Sequence, residues 1–213
     1  MKKAGLRLWT VAILAVAVGL ASYRYLLPGT PGAPPTVLAN HFNQFGALVF
    51  HATLSATALI LGAVQFFPAI RARWPAWHRR AGTVYVGCSL IGGAVALVLA
   101  LGTTSGPVGS AGFGLLALSW LGATVNAWRL ARARDFVRHE RWMVRSYALT
   151  FAAVTLRLYL PIAAIAHVDF MTGYRAISFL CWVPNVIVAE LILARRRPAR
   201  GLLARAAVSP GSS

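Results

Sequence analysis

Acidic side chains are nearly absent from this chain of 213 residues: Asp135, Glu140, Asp169 and Glu190 stand against 21 lysines and arginines. That scarcity argues against a carrier coupled to cations, which needs carboxylates along its path. Cysteine is also scarce, with only Cys88 and Cys181, each inside an apolar run. Two separated thiols in such surroundings read as small packing residues rather than a disulfide or a metal pair. No helical zinc motif, nucleophile elbow or phosphate-binding loop occurs. No connection is long enough to form a nucleic-acid reading module, so the formal charge of +17 does not point to nucleic acid.

What the chain has instead is long apolar runs, with 58% of its residues hydrophobic. Six runs stand out, at Leu8–Leu27, Gly46–Ile70, Thr83–Leu101, Ser110–Leu130, Met143–Ala166 and Ala176–Ala194. Each approaches the ~20 residues that a helix needs to cross ~30 Å of hydrocarbon. The expected fold is an all-α integral membrane protein, a bundle of six transmembrane helices over residues 1–194. Residues 195–213, with their arginines, Pro198 and a Ser/Gly end, are expected to be a disordered tail on anionic headgroups. Pro28–Pro35 and Gly102–Gly109 are expected to be external connections. The first run follows basic residues as a secretory signal does, but it is nearly a full span, so we expect it to stay uncleaved.

The basic residues alternate with the runs. All of them except Arg24, Arg157 and Arg175 lie before the first run, after the second, around the connection after the fourth, or after the sixth. Basic flanks stay in the cytoplasm, so both termini are expected inside a bacterial cytoplasmic membrane. The inner connections also resemble one another: Arg71, Arg73, His78 and Arg80 recur as Arg132, Arg134, His139 and Arg141, and Gln65 falls on Asn126. A duplicated hairpin would make helices 2–5 a four-helix core, with His78 and His139 facing each other at its cytoplasmic end.

Helical spacing supplies the candidate site residues. His51, Ser55, Gly62 and Gln65 line one side of the second run, and His78, Gly82, Tyr85 and Ser89 one side of the third. Small residues let helices approach, and polar ones face a neighbour rather than lipid. On the fifth run His139, Ser146, Thr150 and Arg157 share a face, about five turns from end to end. Arg157 would sit ~13 Å below the outer surface, near the depth of His51, and Tyr159 and Pro161 would rim an outer polar site containing both. His41, His167 and Asp169 lie just beyond it. In the sixth run Pro184 frees backbone groups that Asn185 can satisfy, and Glu190 is expected to pair with His78, His139, Arg145 or another inner arginine.

Three stretches resemble a prokaryotic membrane family catalogued as domain of unknown function 2306. They are His78 to Tyr85, the run His139-Glu140-Arg141-Trp142-Met143-Val144-Arg145-Ser146-Tyr147, and Cys181-Trp182-Val183-Pro184-Asn185 with Glu190. The resemblance covers about Phe45 to Ala194 and implies the topology and the choice of residues, not an activity.

Several functions fit these residues. His78 and His139 have the matched depth that bis-histidine haem b requires, with His51 marking a second, outer position; haem- or quinone-linked redox chemistry would follow. A transporter would line a polar path with Arg157, His51, Gln65, Asn126, Asn185 and Glu190, beside Tyr85 and Arg145, and six spans would suggest a homodimer. A membrane enzyme would use His78, His139 and Glu190 as a metal triad. An assembly or interaction protein would need none of this. For the orientation, reporter fusions after Gly106 should read outside and fusions after Arg134 inside; the opposite pattern refutes it.

Overall fold

The computed structural model describes residues 2–27 and 45–195. The Pro/Gly-rich connection with His41, and residues 196–213 of the tail, lie outside the described residues. All secondary structure described is helical: α1 (Lys2–Ser22, continued by a 3-10 turn at Tyr23–Leu26), α2 (Phe45–Gln65), α3 (Pro68–Arg73), α4 (Pro75–Leu101), α5 (Gly106–Arg132), α6 (Phe136–Thr150), α7 (Ala152–Ile165), α8 (Phe170–Leu180) and α9 (Val183–Arg195).

Six helical spans are long and apolar enough to cross a membrane: Leu8–Leu26, Phe45–Gln65, Pro75–Leu101, Gly106–Arg132, Phe136–Ile165 and Phe170–Arg195. Each coincides with one of the apolar runs. The third begins earlier than its run, because Pro75 occupies the first helical turn, where its missing N–H costs nothing. His78 therefore lies on the helix rather than in a loop. The fifth span is α6 and α7 in series, broken at Phe151, and the sixth is α8 and α9, broken at Cys181 and Trp182.

The turns explain two of the four acids. Arg134 and His167 adopt left-handed conformations (φ 59° and 53°) that end a helix, and the cap of the following helix comes one residue later at Asp135 and two residues later at Asp169. Asp135 then accepts the Arg138 N–H at 3.0 Å, and Asp169 accepts the Thr172 N–H and hydroxyl, each at 3.0 Å. Both aspartates are N-caps. Thr172 holds the Asp169 carboxyl below its usual range, since both bonds favour the carboxylate.

Spans 2, 3, 4 and 5 pack in a ring, α2 on α4, α4 on α5, α5 on α6, and α6 back on α2. Span 1 lies against α2 and α7, and span 6 against α5, α6 and α7. Apolar side chains such as Val98, Leu101, Leu118, Ile187 and Leu191 point outward, as lipid contact requires. The interior is built from small residues, and Gly62 shows why. A Cβ there would lie 2.6 Å from the Tyr147 ring and 2.8 Å from the Tyr85 ring. At Gly114 a Cβ would meet nothing within 4 Å. Gly62→Ala should therefore destabilise the bundle by about 1–3 kcal/mol. Gly114→Ala should be neutral or stabilising. Unfolding of the detergent-solubilised protein measures both, and equal effects would refute the close packing at Gly62.

Candidate functional site

A web of hydroxyls occupies the middle of the ring. Tyr85 on span 3 is fully buried, with its hydroxyl 2.7 Å from Ser146 Oγ and 3.0 Å from Thr150 Oγ1 on span 5. Span 4 adds Trp120, whose indole N–H donates to Thr150 Oγ1 at 2.9 Å, and Thr124, 2.8 Å from Ser146 Oγ. Thr150 gives its own proton to the Ser146 carbonyl at 2.9 Å, so its oxygen accepts from both Trp120 and Tyr85. Ser146 can then donate to Tyr85 and accept from Thr124, which leaves every hydroxyl in the web satisfied. Tyr147 closes the ring by donating to the Leu59 carbonyl of span 2 at 3.2 Å. Tyr85 and Ser146 are 61 positions apart, the offset that also separates the two arginine-rich connections.

Below this web lie the two inner histidines. His139 places Nδ1 2.8 Å from the Ala127 carbonyl. A carbonyl only accepts, so Nδ1 carries the proton and Nε2 keeps its lone pair in the neutral ring. His78 on span 3 is within electrostatic range of His139, Arg71 and Arg79. Among the described residues its enclosed Nδ1 meets no hydrogen-bond partner, and neither does Nε2 of the buried Gln65. The Gln65 amide lies over Gly82, 3.7 Å from where a Cβ would stand, and Gly82 is one helical turn from His78. Two unsatisfied polar groups thus sit side by side at the inner end.

Residues 48–193 match the model of a family described as "Predicted membrane protein (DUF2306)". The chain belongs to that family. No curated protein and no solved structure matches it. The matched stretch contains His51, His78, His139, Arg157 and Glu190, but not span 1. For this family member, the conclusion at this level is a multi-pass helical membrane protein of unknown function.

The other inner residue of note, Glu190, is held by Arg145 through two bonds, Nε to Oε1 at 2.5 Å and Nη2 to Oε2 at 2.9 Å. The guanidinium also lies 4.8 Å from the centroid of the Trp142 ring. A forked pair of this kind joins α6 to α9. The triad His78, His139 and Glu190 therefore does not assemble. Among the described residues no three His, Cys, Asp or Glu side chains are grouped to hold a metal ion. Asn126 also departs from expectation. It donates to the Gly122 carbonyl of its own helix at 3.0 Å, so it satisfies itself instead of lining a path.

Spans 5 and 6 are broken side by side, and one residue stitches the breaks together. Asn185 Nδ2 lies 3.0 Å from the Cys181 carbonyl, 3.1 Å from Thr155 Oγ1 and 3.3 Å from the Ala148 carbonyl. Thr155 itself donates to the Cys181 carbonyl. Carbonyls at both breaks, Ala148 in span 5 and Cys181 in span 6, are thus met by side chains, as hydrocarbon demands.

At the outer end, His51 places Nδ1 2.9 Å from the Gly92 carbonyl of span 3, which fixes its tautomer in the same sense as His139. Arg157 is close enough for its charge to act on His51. Arg157 lies beyond the break at Phe151, and it interacts with Tyr25 of span 1. His167 is spent in a left-handed turn. Trp120, Thr124, Thr155 and Tyr25 do not stand out in the sequence, and Tyr147 does so only within the stretch that carries the family resemblance. Trp120 and Thr124 were detectable, since with Gly109, Gly112, Ala117 and Ala127 they form a buried stripe on α5.

Removing an acceptor from the central web strands more groups than removing a donor. Thr150→Val leaves the Trp120 N–H and one Tyr85 bond unmet, while Tyr85→Phe leaves Ser146 free to turn toward Thr124. Thr150→Val should be the more destabilising by on the order of 1 kcal/mol in reversible unfolding from detergent. The reverse order would refute this assignment of donors.

Proposed function

We propose that the protein is a membrane redox protein whose inner-end histidines, His78 and His139, hold a b-type haem. The observation that carries this reading is the state of the two rings. His139 has Nδ1 committed to a backbone carbonyl and Nε2 left with a lone pair, the arrangement typical of a metal-ligating histidine. Beside it, His78 has an enclosed nitrogen with no partner, a cost a native structure rarely bears without a ligand. When bound, haem would supply reversible one-electron transfer.

The chain's own residues would have four tasks. His78 and His139 would hold the group from spans 3 and 5. Arg71 and Arg79, in electrostatic range of His78, would balance negative charge on it. Gln65 would donate its unmet N–H. The aromatic layer of Tyr85, Tyr147 and Trp120 above would keep water and lipid from the site. In this reading the protein works in a bacterial cytoplasmic membrane with the arginine-rich connections inside, against anionic lipid. A quinone headgroup is the second reading, favoured by the same unmet donors on His78 and Gln65, which match two ring carbonyls.

Pure protein from haem-replete cells should show a Soret band and a reducible α-band, both lost in His78→Ala and His139→Ala but kept in His51→Ala. A colourless preparation removes the haem reading. In that case, bound quinone in an organic extract of the wild type, absent from Gln65→Leu, would favour the second.

A further inference from the structure

The outer end of the molecule has a charge problem that the chain cannot solve by itself. Arg157 is partly buried in span 5, and its one hydrogen bond of good geometry runs from Nη1 to the Ala153 carbonyl on its own helix, at 2.9 Å. A guanidinium carries five N–H donors in a fixed fork, and among the described residues only Ala153 accepts from it with good geometry. Span 1 brings a second guanidinium to the same end. Arg24 lies 5.4 Å from the centroid of the Tyr25 ring, and Tyr25 is within hydrogen-bonding reach of Arg157, which also feels the charge of Arg24.

None of the chain's four acids is placed to neutralise them. Asp135 caps α6, and Glu190 is engaged with Arg145 at the inner end. Glu140 lies in the second turn of α6, far along the fifth span from Arg157. Asp169, at the outer end, is spent on Thr172 as the cap of α8. Arg157 is partly buried and Arg24 exposed at the end of span 1, and two like charges with no carboxylate paired to either among the described residues repel each other, which favours an anion from outside the chain.

An apolar cavity lies further along span 5, beginning at Leu160, about one turn beyond Arg157. It measures about 80 Å³ and lies between spans 5 and 6, lined by Leu160, Ala163, Val168, Phe170, Tyr174 and Ile177. Tyr174 connects the two regions, being within electrostatic range of Tyr25. A charged fork beside an apolar slot fits an anion attached to a chain.

We propose that Arg157 and Arg24, flanking Tyr25 at the outer end of spans 1 and 5, bind a phosphate oxyanion. Its source is the headgroup of an anionic phospholipid, with part of an acyl chain in the slot beside Tyr174. The guanidinium planes match phosphate oxygens in a way that lysine does not. The site is separate from the inner histidines and does not depend on any cofactor there. It also gives span 1, which lies outside the family match, a reason to pack against α7.

The test uses the full chain in nanodiscs of phosphatidylcholine alone or with added phosphatidylglycerol, and in detergent with inorganic phosphate. Lipid retained after washing is counted by native mass spectrometry, and the thermal midpoint is recorded. Wild type should retain phosphatidylglycerol and gain thermal stability from it. Arg157→Gln and Arg24→Gln should each lose about tenfold or more in affinity for that lipid, or about 1.4 kcal/mol. Arg157→Lys should restore little. Arg132→Gln, at the inner end, should behave as wild type, which separates this site from general attraction to the basic connections. Equal stabilisation by inorganic phosphate would overturn the lipid as source and leave a free anion. Unchanged phosphatidylglycerol retention in Arg24→Gln overturns the site itself, and this variant serves even if Arg157→Gln fails to fold, because Arg24 lies at the end of span 1.

Discussion

Tyr85 cannot leave its hydroxyl unbonded, and much of the bundle follows from that constraint. The group lies where no water reaches, so its partners must come from neighbouring helices. Ser146 and Thr150 supply them from span 5, and these are shared in turn with Trp120 and Thr124 of span 4. A slip of one residue in any of these helices would turn a hydroxyl away and strand its partner. In lipid the helices gain little from burying one apolar face against another, so this polar web, with close packing at Gly62, specifies the register.

The shortage of acids organises the rest. Two aspartates end as caps on the connections, and one glutamate clamps α6 to α9 through Arg145. Little negative charge is then left for the other arginines, most of which lie in the connections, the tail or the inner turns of the spans, within reach of headgroups. Arg24 and Arg157 are the pair for which that solution fails, because Arg157 lies within the fifth span. The breaks in spans 5 and 6 belong to the same economy of polar groups. Thr155 and Asn185 cover the loosened carbonyls internally, so these breaks need no ligand, unlike the discontinuous helices of many transporters.

The two ends of the molecule therefore ask for different things. The inner end has neutral groups with unmet bonds on His78 and Gln65, and the outer end has positive charge without a counter-ion. The web of Tyr85, Ser146, Thr150, Trp120 and Thr124 between them is bonded throughout, although the buried Ser89 hydroxyl one turn from Tyr85 meets no partner among the described residues, and this sets the two sites apart.

From the residues alone one could read the number of spans, their lengths and their polar faces, because membrane thickness and helical period act on each segment separately. The pairing of Arg145 with Glu190 was among a few partners that depth allowed, and Asn185 was legible from the proline before it. Other features depended on distances between segments. Whether Asn126 faced a neighbour or bonded to Gly122, whether Glu190 joined the histidines, and where Arg157 pointed after the break at Phe151 were decided by packing. Trp120 illustrates the difference: its indole reads as an interfacial or lipid-facing group in isolation, and only the approach of span 5 turns it into a donor to Thr150. Hydrophobic length belongs to one helix and is written in the sequence, whereas hydrogen-bond satisfaction belongs to pairs of helices and exists only once they meet.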